Sequence, residues 1–329
     1  MIDTRMRDWL LDSDPALRWQ VERDLLGADE DTWQATRAAV ATEGFGRDLL
    51  ARQDPDGQWA GGPFFPADFS WEGEQPWTAT TWALKDLREW GIDAEVLAGT
   101  AEKLAPVRWE FKDLLYWGGE VDVCINAWTL SNGLWLGADV DGIAQWFLDH
   151  QLDDGGWNCE WVEGSTRSSF HSTLNALGAL LDYQQRTGDV TRVAQARAAG
   201  EEYLLKRDLY RRLSTGEPFS MNAFSLAHPR RWHYSILAAA DYFRDAAFTD
   251  GTRPDPRLAD AIERIRDQRQ ADGTWLQGHR LAGDVWFHVD VPAGEPSKWV
   301  TLQALRVLDW WDAANPPGAA DTADAATPS

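Results

Sequence analysis

The sequence predicts an all-α fold built from helix pairs closed into a ring, and three observations carry that reading. One turn, Asp-Gly-x-Trp, is written three times, at Asp56-Gly57-x-Trp59, Asp154-Gly155-x-Trp157 and Asp272-Gly273-x-Trp275. Ala/Leu-rich helical runs open at Trp77, Val123, His171, Trp232 and Trp299, which by subtraction lie 46, 48, 61 and 67 residues apart. Strand-like alternation and hairpin signals are scarce. Helix pairs recurring every ~50 residues mark an α-solenoid or a closed α/α ring. A ring fits better, because no distinctly polar capping repeat ends the array. The expectation is an α/α toroid of five to six helix pairs, with parallel inner helices around a central cavity.

Residues 1–44 read as a helical lead-in that belongs to the same domain. Asp14-Pro15 supplies a cap and a first-turn proline for "ALRWQVERDLL", which stops at Gly27. Residues 45–312 hold the ring. Its second helices, such as "WTATTWALKDLREWG" and "VCINAWTLSNGLWLG", carry small residues on several faces and few charges, which suits an inner, doubly buried layer. The first helices, such as "GIAQWFLDHQ" and "RLADAIERIRDQRQ", are amphipathic and suit an outer layer. Between them, Asp-Gly makes a tight turn with a side-chain cap, and the tryptophan is placed to stack on the preceding helix end. The turn is therefore expected to staple each outer helix to the next inner one. Residues 313–329 lack apolar bulk and read as a disordered tail.

Composition narrows the function. Asp+Glu number 53 against 31 Lys+Arg, a formal net charge of −22, which argues against nucleic acid and anionic membrane surfaces as partners. No uncharged run approaches the ~18 residues needed to span a bilayer, and no charged-then-apolar leader opens the chain. Two cysteines are too few for a disulfide framework, so a reducing cytoplasm is the expected setting. The 21 tryptophans outnumber the 6 tyrosines and 12 phenylalanines. Something in this fold consumes indole rings.

Gln53-x-x-Asp56-Gly57-x-Trp59 and Gln151-x-x-Asp154-Gly155-x-Trp157 match position by position, and Arg269 takes the glutamine's place in the third copy. These copies resemble the QW repeats of squalene–hopene and oxidosqualene cyclases, over approximately residues 45–312. The same ring serves the β subunits of protein prenyltransferases. The resemblance implies an α/α toroid about the size of one such ring, with a cavity lined by aromatics. The chain departs from both relatives in chemistry. It has no Asp-x-Asp-Asp string to protonate a polyene and no Asp-Asp-x-x-Asp box to hold magnesium. The nearest strings, Asp139-Val-Asp141-Gly and Asp29-Glu-Asp31-Thr, read as helix caps.

"VDVCINAW" places Asp122 and Cys124 at the opening of one inner helix, and "SSFHSTLNAL" places His171 at the opening of the next. Zinc accepts carboxylate, thiolate and imidazole, and a catalytic site needs three such ligands plus an open position. The set resembles the Asp-x-Cys and following His that hold zinc in prenyltransferase β subunits, which implies zinc on Asp122, Cys124 and His171. Cys159 is a further or alternative ligand. The same residues also read simply as an N-cap and a small buried side chain. The basic residues that would bind a diphosphate ahead of the Asp-x-Cys are replaced by "LLYWGGE".

Trp77, Trp128, Trp232, Tyr234 and Trp299 are expected in the first turns of inner helices or one turn in, as the wall of a substrate bowl or the filling of a narrow core. His233 is a candidate general acid or base, beside Asp122 as acid or ligand and His171 as ligand or base. The first function expected is cyclisation or rearrangement of an isoprenoid-like hydrophobic molecule. The alternatives are a zinc-dependent transferase or hydrolase and a non-catalytic toroid that binds a lipid or peptide. No nucleotide cofactor is expected, and a partner subunit is left open.

Overall fold

The computed structural model describes residues 2–316, and among them the fold is all-α. The helices are α1 (Thr4–Leu11), α2 (Pro15–Asp24), α3 (Glu30–Ala39), α4 (Gly44–Leu50), α5 (Thr80–Glu89), α6 (Thr100–Leu104) and α7 (Val123–Leu136). They continue with α8 (Asp141–Asp149), α9 (Phe170–Thr187), α10 (Arg192–Leu205), α11 (Ile236–Asp250), α12 (Ala259–Arg266) and α13 (Lys298–Ala314). The strands described are two residues each, β1 (Trp275–Leu276) antiparallel to β2 (Pro296–Ser297). Caps set many of the starts. Asp14, Asp29, Asp122 and Ser169 each accept a backbone N–H from the first turn of α2, α3, α7 and α9. No helix among the described residues is long and apolar enough to cross a membrane.

Neighbour relations run in sequence. Helix α5 packs on α7, α7 on α9, α9 on α11 and α11 on α13. Helix α13 then meets α2, which contacts α4, and α4 returns to α5. Burial separates two kinds of helix. Helix α7 buries every residue from Val123 to Gly133, whereas α12 buries only the stripe Ala261, Ile262 and Ile265. The hydrophobic core is continuous through all of these contacts.

The three Asp-Gly-x-Trp turns are built alike. Trp59, Trp157 and Trp275 are fully buried, and each indole N–H donates to a carbonyl ten residues earlier, on Leu49, Phe147 and Ile265 at 2.7–2.9 Å. Each tryptophan backbone N–H donates to a threonine hydroxyl in the first turn of the following helix, Thr80, Thr173 or Thr301, at 2.9–3.1 Å. The staple between each helix and the next is thus made of two hydrogen bonds on one residue. Gln53 and Gln151 donate to the carbonyls of Gly57 and Gly155, and Arg269 Nε donates to that of Gly273. Arginine replaces glutamine without loss of the contact.

Two helix starts differ from expectation. Helix α5 begins at Thr80, not Trp77, and α11 at Ile236, not Trp232. At the second, Ser235 is extended (φ −144°, ψ 157°) and its side chain accepts from the Ala238 N–H, so the helix cannot reach back to the aromatics. Helix α13 runs through Ala314, so the expected tail starts two residues too early. Residues 317–329 of that tail lie outside the described residues.

Candidate functional site

The N-cap of α7 is where polar chemistry gathers. Asp122 Oδ1 accepts the backbone N–H of Cys124 at 2.7 Å and of Ile125 at 3.1 Å. This fixes the carboxylate over the helix's positive end. The loop entering it is braced from both sides. Asn126 exchanges two 2.6 Å hydrogen bonds with the Glu120 backbone, and the Glu120 carboxylate accepts from Val121 N and Asp122 N.

Cys159, at the start of a 3₁₀ turn after the second Trp motif, reaches across to this cap. Its Sγ lies 3.2 Å from Asp122 Oδ1 and 3.4 Å from Cys124 Sγ. The three side chains offer donor atoms all within 4.8 Å of one another. Cys124 is buried and Cys159 half-buried, and both are free thiols. The neighbouring Cys159 thiol, with burial and Asp122 behind it, pushes the Cys124 thiol well above its ordinary range. A bound cation reverses that preference, because it deprotonates a coordinating thiol.

Two of the separations among the three donors, 3.2 and 3.4 Å, lie near the roughly 3.3–3.8 Å between ligands of a tetrahedral ion at ~2.0–2.3 Å. Three ligands leave a fourth position open. Around them, the Asn175 amide donates to Cys124 Sγ at 3.3 Å and Ser172 Oγ to Cys159 Sγ at 3.3 Å. Such outer hydrogen bonds orient thiolate ligands.

His171 does not join the trio. Its Nδ1 accepts the Tyr234 backbone N–H at 3.0 Å. A backbone N–H can only donate, so the neutral ring carries its proton on Nε2 and has no lone pair left for a metal. The residue instead lines a cavity of about 430 Å³ with His233, His279, Tyr234, Phe219 and Ser225. His171 and His233 are 6.1 Å apart, ring centre to ring centre, and His233 and His279 6.2 Å. His233 stacks on Trp232 at 3.8 Å, and its buried Nδ1 has no partner among the described residues. Burial, then His171 and His279, hold its pKa down to about 4, so it is a neutral and weak base near pH 7. His279 is a site candidate that the sequence reading missed, since nothing local to "QGHRL" sets it apart.

The aromatics divide. Trp128 and Trp299 line a cavity of about 290 Å³ to which α5, α7, α9, α11 and α13 all contribute. Trp77 faces a separate, smaller recess and stands edge-on to Trp82, with its N–H on the Ala282 carbonyl. Tyr234 is pinned by its hydroxyl to the Leu209 carbonyl at 2.5 Å, and Trp232 sits in the loop ahead of α11. The central lining is not an aromatic bowl. It holds seven charged residues, Arg88, Glu89, Asp182, Arg230, Asp241, Asp245 and Arg306, together with His228 and Gln303.

No protein-family model matches the sequence, and neither does any curated protein. Among solved structures, a protein from Actinoplanes is similar at 17% identity and a TM-score of 0.45, covering 91% of this chain and 90% of that one.

Proposed function

We propose that this chain is a metal-dependent enzyme of the transferase or hydrolase type, with zinc held by Asp122, Cys124 and Cys159. The observation that carries the proposal is the convergence of those three donors from two separate segments on one helix cap. When bound there, zinc supplies a Lewis acid that polarises a substrate oxygen or lowers the pKa of a water molecule. The chain's own part is positional. Asp122 is locked by two backbone N–H groups, Asn175 and Ser172 hold the sulfurs, and His171 Nε2–H is a fixed donor on the neighbouring cavity.

The ring is part of the same proposal. Five helices share one cavity, and their neighbour relations close through α2 and α4, which supports an α/α toroid. The charged lining favours the metal reading over isoprenoid cyclisation. A polyene placed there would desolvate seven charged groups and return no hydrogen bonds.

Elemental analysis tests the metal. Purified protein should carry about one zinc per chain, and Cys124→Ser and Cys159→Ser should each lose most of it while staying helical. His171→Gln should keep it. Protein that stays metal-free after incubation with zinc would overturn the proposal, and zinc lost in His171→Gln but kept in Cys159→Ser would move the site to the imidazole.

A further inference from the structure

Two surface loops meet in an aromatic patch that the fold leaves uncovered. The loop of residues 63–76 runs between the first Trp motif and α5, and a hairpin turn of residues 108–115 follows α6. Glu110 of the hairpin accepts the backbone N–H groups of Phe64 and Phe65 at 2.8 and 2.7 Å, which ties one loop to the other. Next to this tie, Phe65, Phe69 and Trp71 pack on one another with ring centres 4.8–5.2 Å apart. Phe111 closes on Trp71 at 5.1 Å. The cluster is nevertheless left in water, with Trp71 54% and Phe111 48% exposed. Trp71 is also left-handed, at φ +61°, a conformation that is costly for a bulky side chain. A tryptophan held in that way with half its surface in water is the kind of anchor that interfaces bury.

A second, independent feature is charge. Beside the aromatics lies an open recess of about 530 Å³, lined by Phe69 and by four carboxylates, Asp68, Glu72, Glu74 and Asp284. Among the described residues its lining holds no basic side chain, and none of the four acids is in an ion pair. All four are exposed. On the hairpin, Arg108 is taken by Asp113 at 3.3 Å, and Lys112 does not line the recess.

We propose that this face docks a basic peptide segment of a partner protein, with lysine or arginine side chains in the acidic recess and an apolar side chain on Trp71 and Phe111. Charge selects this occupant. A second copy of the chain brings a formal net charge of −22, and an anionic membrane brings lipid phosphates, so both are repelled. A small cation held in the recess alone would leave Trp71 and Phe111 uncovered, because neither is in its lining. Phe69 belongs to both regions, 5.2 Å from Trp71. Alternate side chains of an extended segment stand about 7 Å apart and so serve recess and patch together. An arginine there gains twice, from the carboxylates and from the aromatic faces. The face is separate from the metal trio and from the central cavity, which share none of these residues.

Fluorescence anisotropy of three short labelled peptides against the full chain tests the idea. One alternates leucine with arginine, one serine with arginine, and one leucine with glutamate. The leucine–arginine peptide should bind saturably and more weakly as salt rises, the serine–arginine peptide clearly less tightly, and the leucine–glutamate peptide not at all. Trp71→Ser should weaken the first peptide roughly tenfold, and Glu72→Gln with Glu74→Gln by a similar factor. These residues are exposed, so the variants should keep the parent's helical spectrum. Glu30→Gln with Asp31→Asn removes the same charge from the exposed first turn of α3 and should change nothing, which separates docking from diffuse attraction to an acidic protein. Equal affinity for the serine–arginine peptide, undiminished binding by Trp71→Ser, or an equal loss in the α3 variant would each overturn the proposal. So would a dimer in sedimentation, or flotation with phosphatidylcholine vesicles, that Trp71→Ser abolishes, since either would give the patch to a different occupant.

Discussion

Trp157 shows how one residue can be both the most conspicuous letter of a motif and a purely mechanical part. Its ring is fully buried, its indole N–H closes the end of α8 on the Phe147 carbonyl, and its backbone N–H rests on Thr173 of α9. Replacing it by alanine should destabilise by about 3–5 kcal/mol, as large-to-small core changes do. Trp157→Phe separates the two roles. It keeps most of the ring but strands a buried carbonyl, so about 1–3 kcal/mol of the loss should remain in urea unfolding. An unchanged midpoint would mean that the hydrogen bond contributes nothing. Gly155, two residues earlier, is fixed for a different reason. It sits at φ +99°, and a Cβ there would lie 2.5 Å from the Ala199 carbonyl oxygen. Gly155→Ala should therefore lower the melting temperature even though it adds only a methyl group.

At the level of elements, the sequence was legible where a cap and a periodic run agreed. Asp122 before "VCINAW" marks the start of α7 to the residue, and the same cap gathers the candidate metal ligands. "RRWHYSIL" misled because three aromatic residues in a row look like a helix's first apolar turn. Their stacking on each other and on His171 belongs to a loop in which Arg231 is left-handed at φ +51°. Ser235→Ala distinguishes the two registers. As the N-cap of α11 it should cost about 1 kcal/mol on removal, whereas alanine at an interior helix position would be neutral or stabilising. Cys159 was legible only as an alternative, because a loop residue carries no periodicity that says where it points. The charged lining was not legible at all. Arg88 meets Asp182 from 94 residues away and Arg306 meets Asp241 from 65, and no spacing rule links residues on different helices of a bundle.

Over the whole molecule, burying titratable groups gives stability a pH dependence with two opposing parts. Burial holds His228 at about 3 and His233 at about 4. Both values lie below the unfolded imidazole at about 6.5, so as pH falls through 6.5 the unfolded chain takes up protons that the folded chain refuses. Folding stability is then lost progressively down to the folded pKa, on the order of 3 kcal/mol from His228 alone by pH 4. Asp245 and Asp290 act in the other direction. Desolvation, joined at the half-exposed Asp245 by repulsion from the Asp241 carboxylate, raises each to about 6, so between about 6 and the unfolded carboxylate range the folded chain binds the extra proton and acid stabilises it. The two parts overlap between pH 6 and 4, and the unaltered protein should show a shallow profile there. Single substitutions expose each part. His228→Phe retains a ring to stack on Trp299 and loses no side-chain hydrogen bond seen among the described residues, so its stability relative to the parent should grow as pH drops from 7.5 to 4. Asp290→Asn removes a group that favours folding only on acidification, so its advantage should be largest at pH 7.5 and shrink by pH 4. Urea midpoints for the parent and both variants across that range check the signs. Parallel curves would mean that His228 and Asp290 take up protons as freely in the folded chain as in the unfolded one, which their burial forbids.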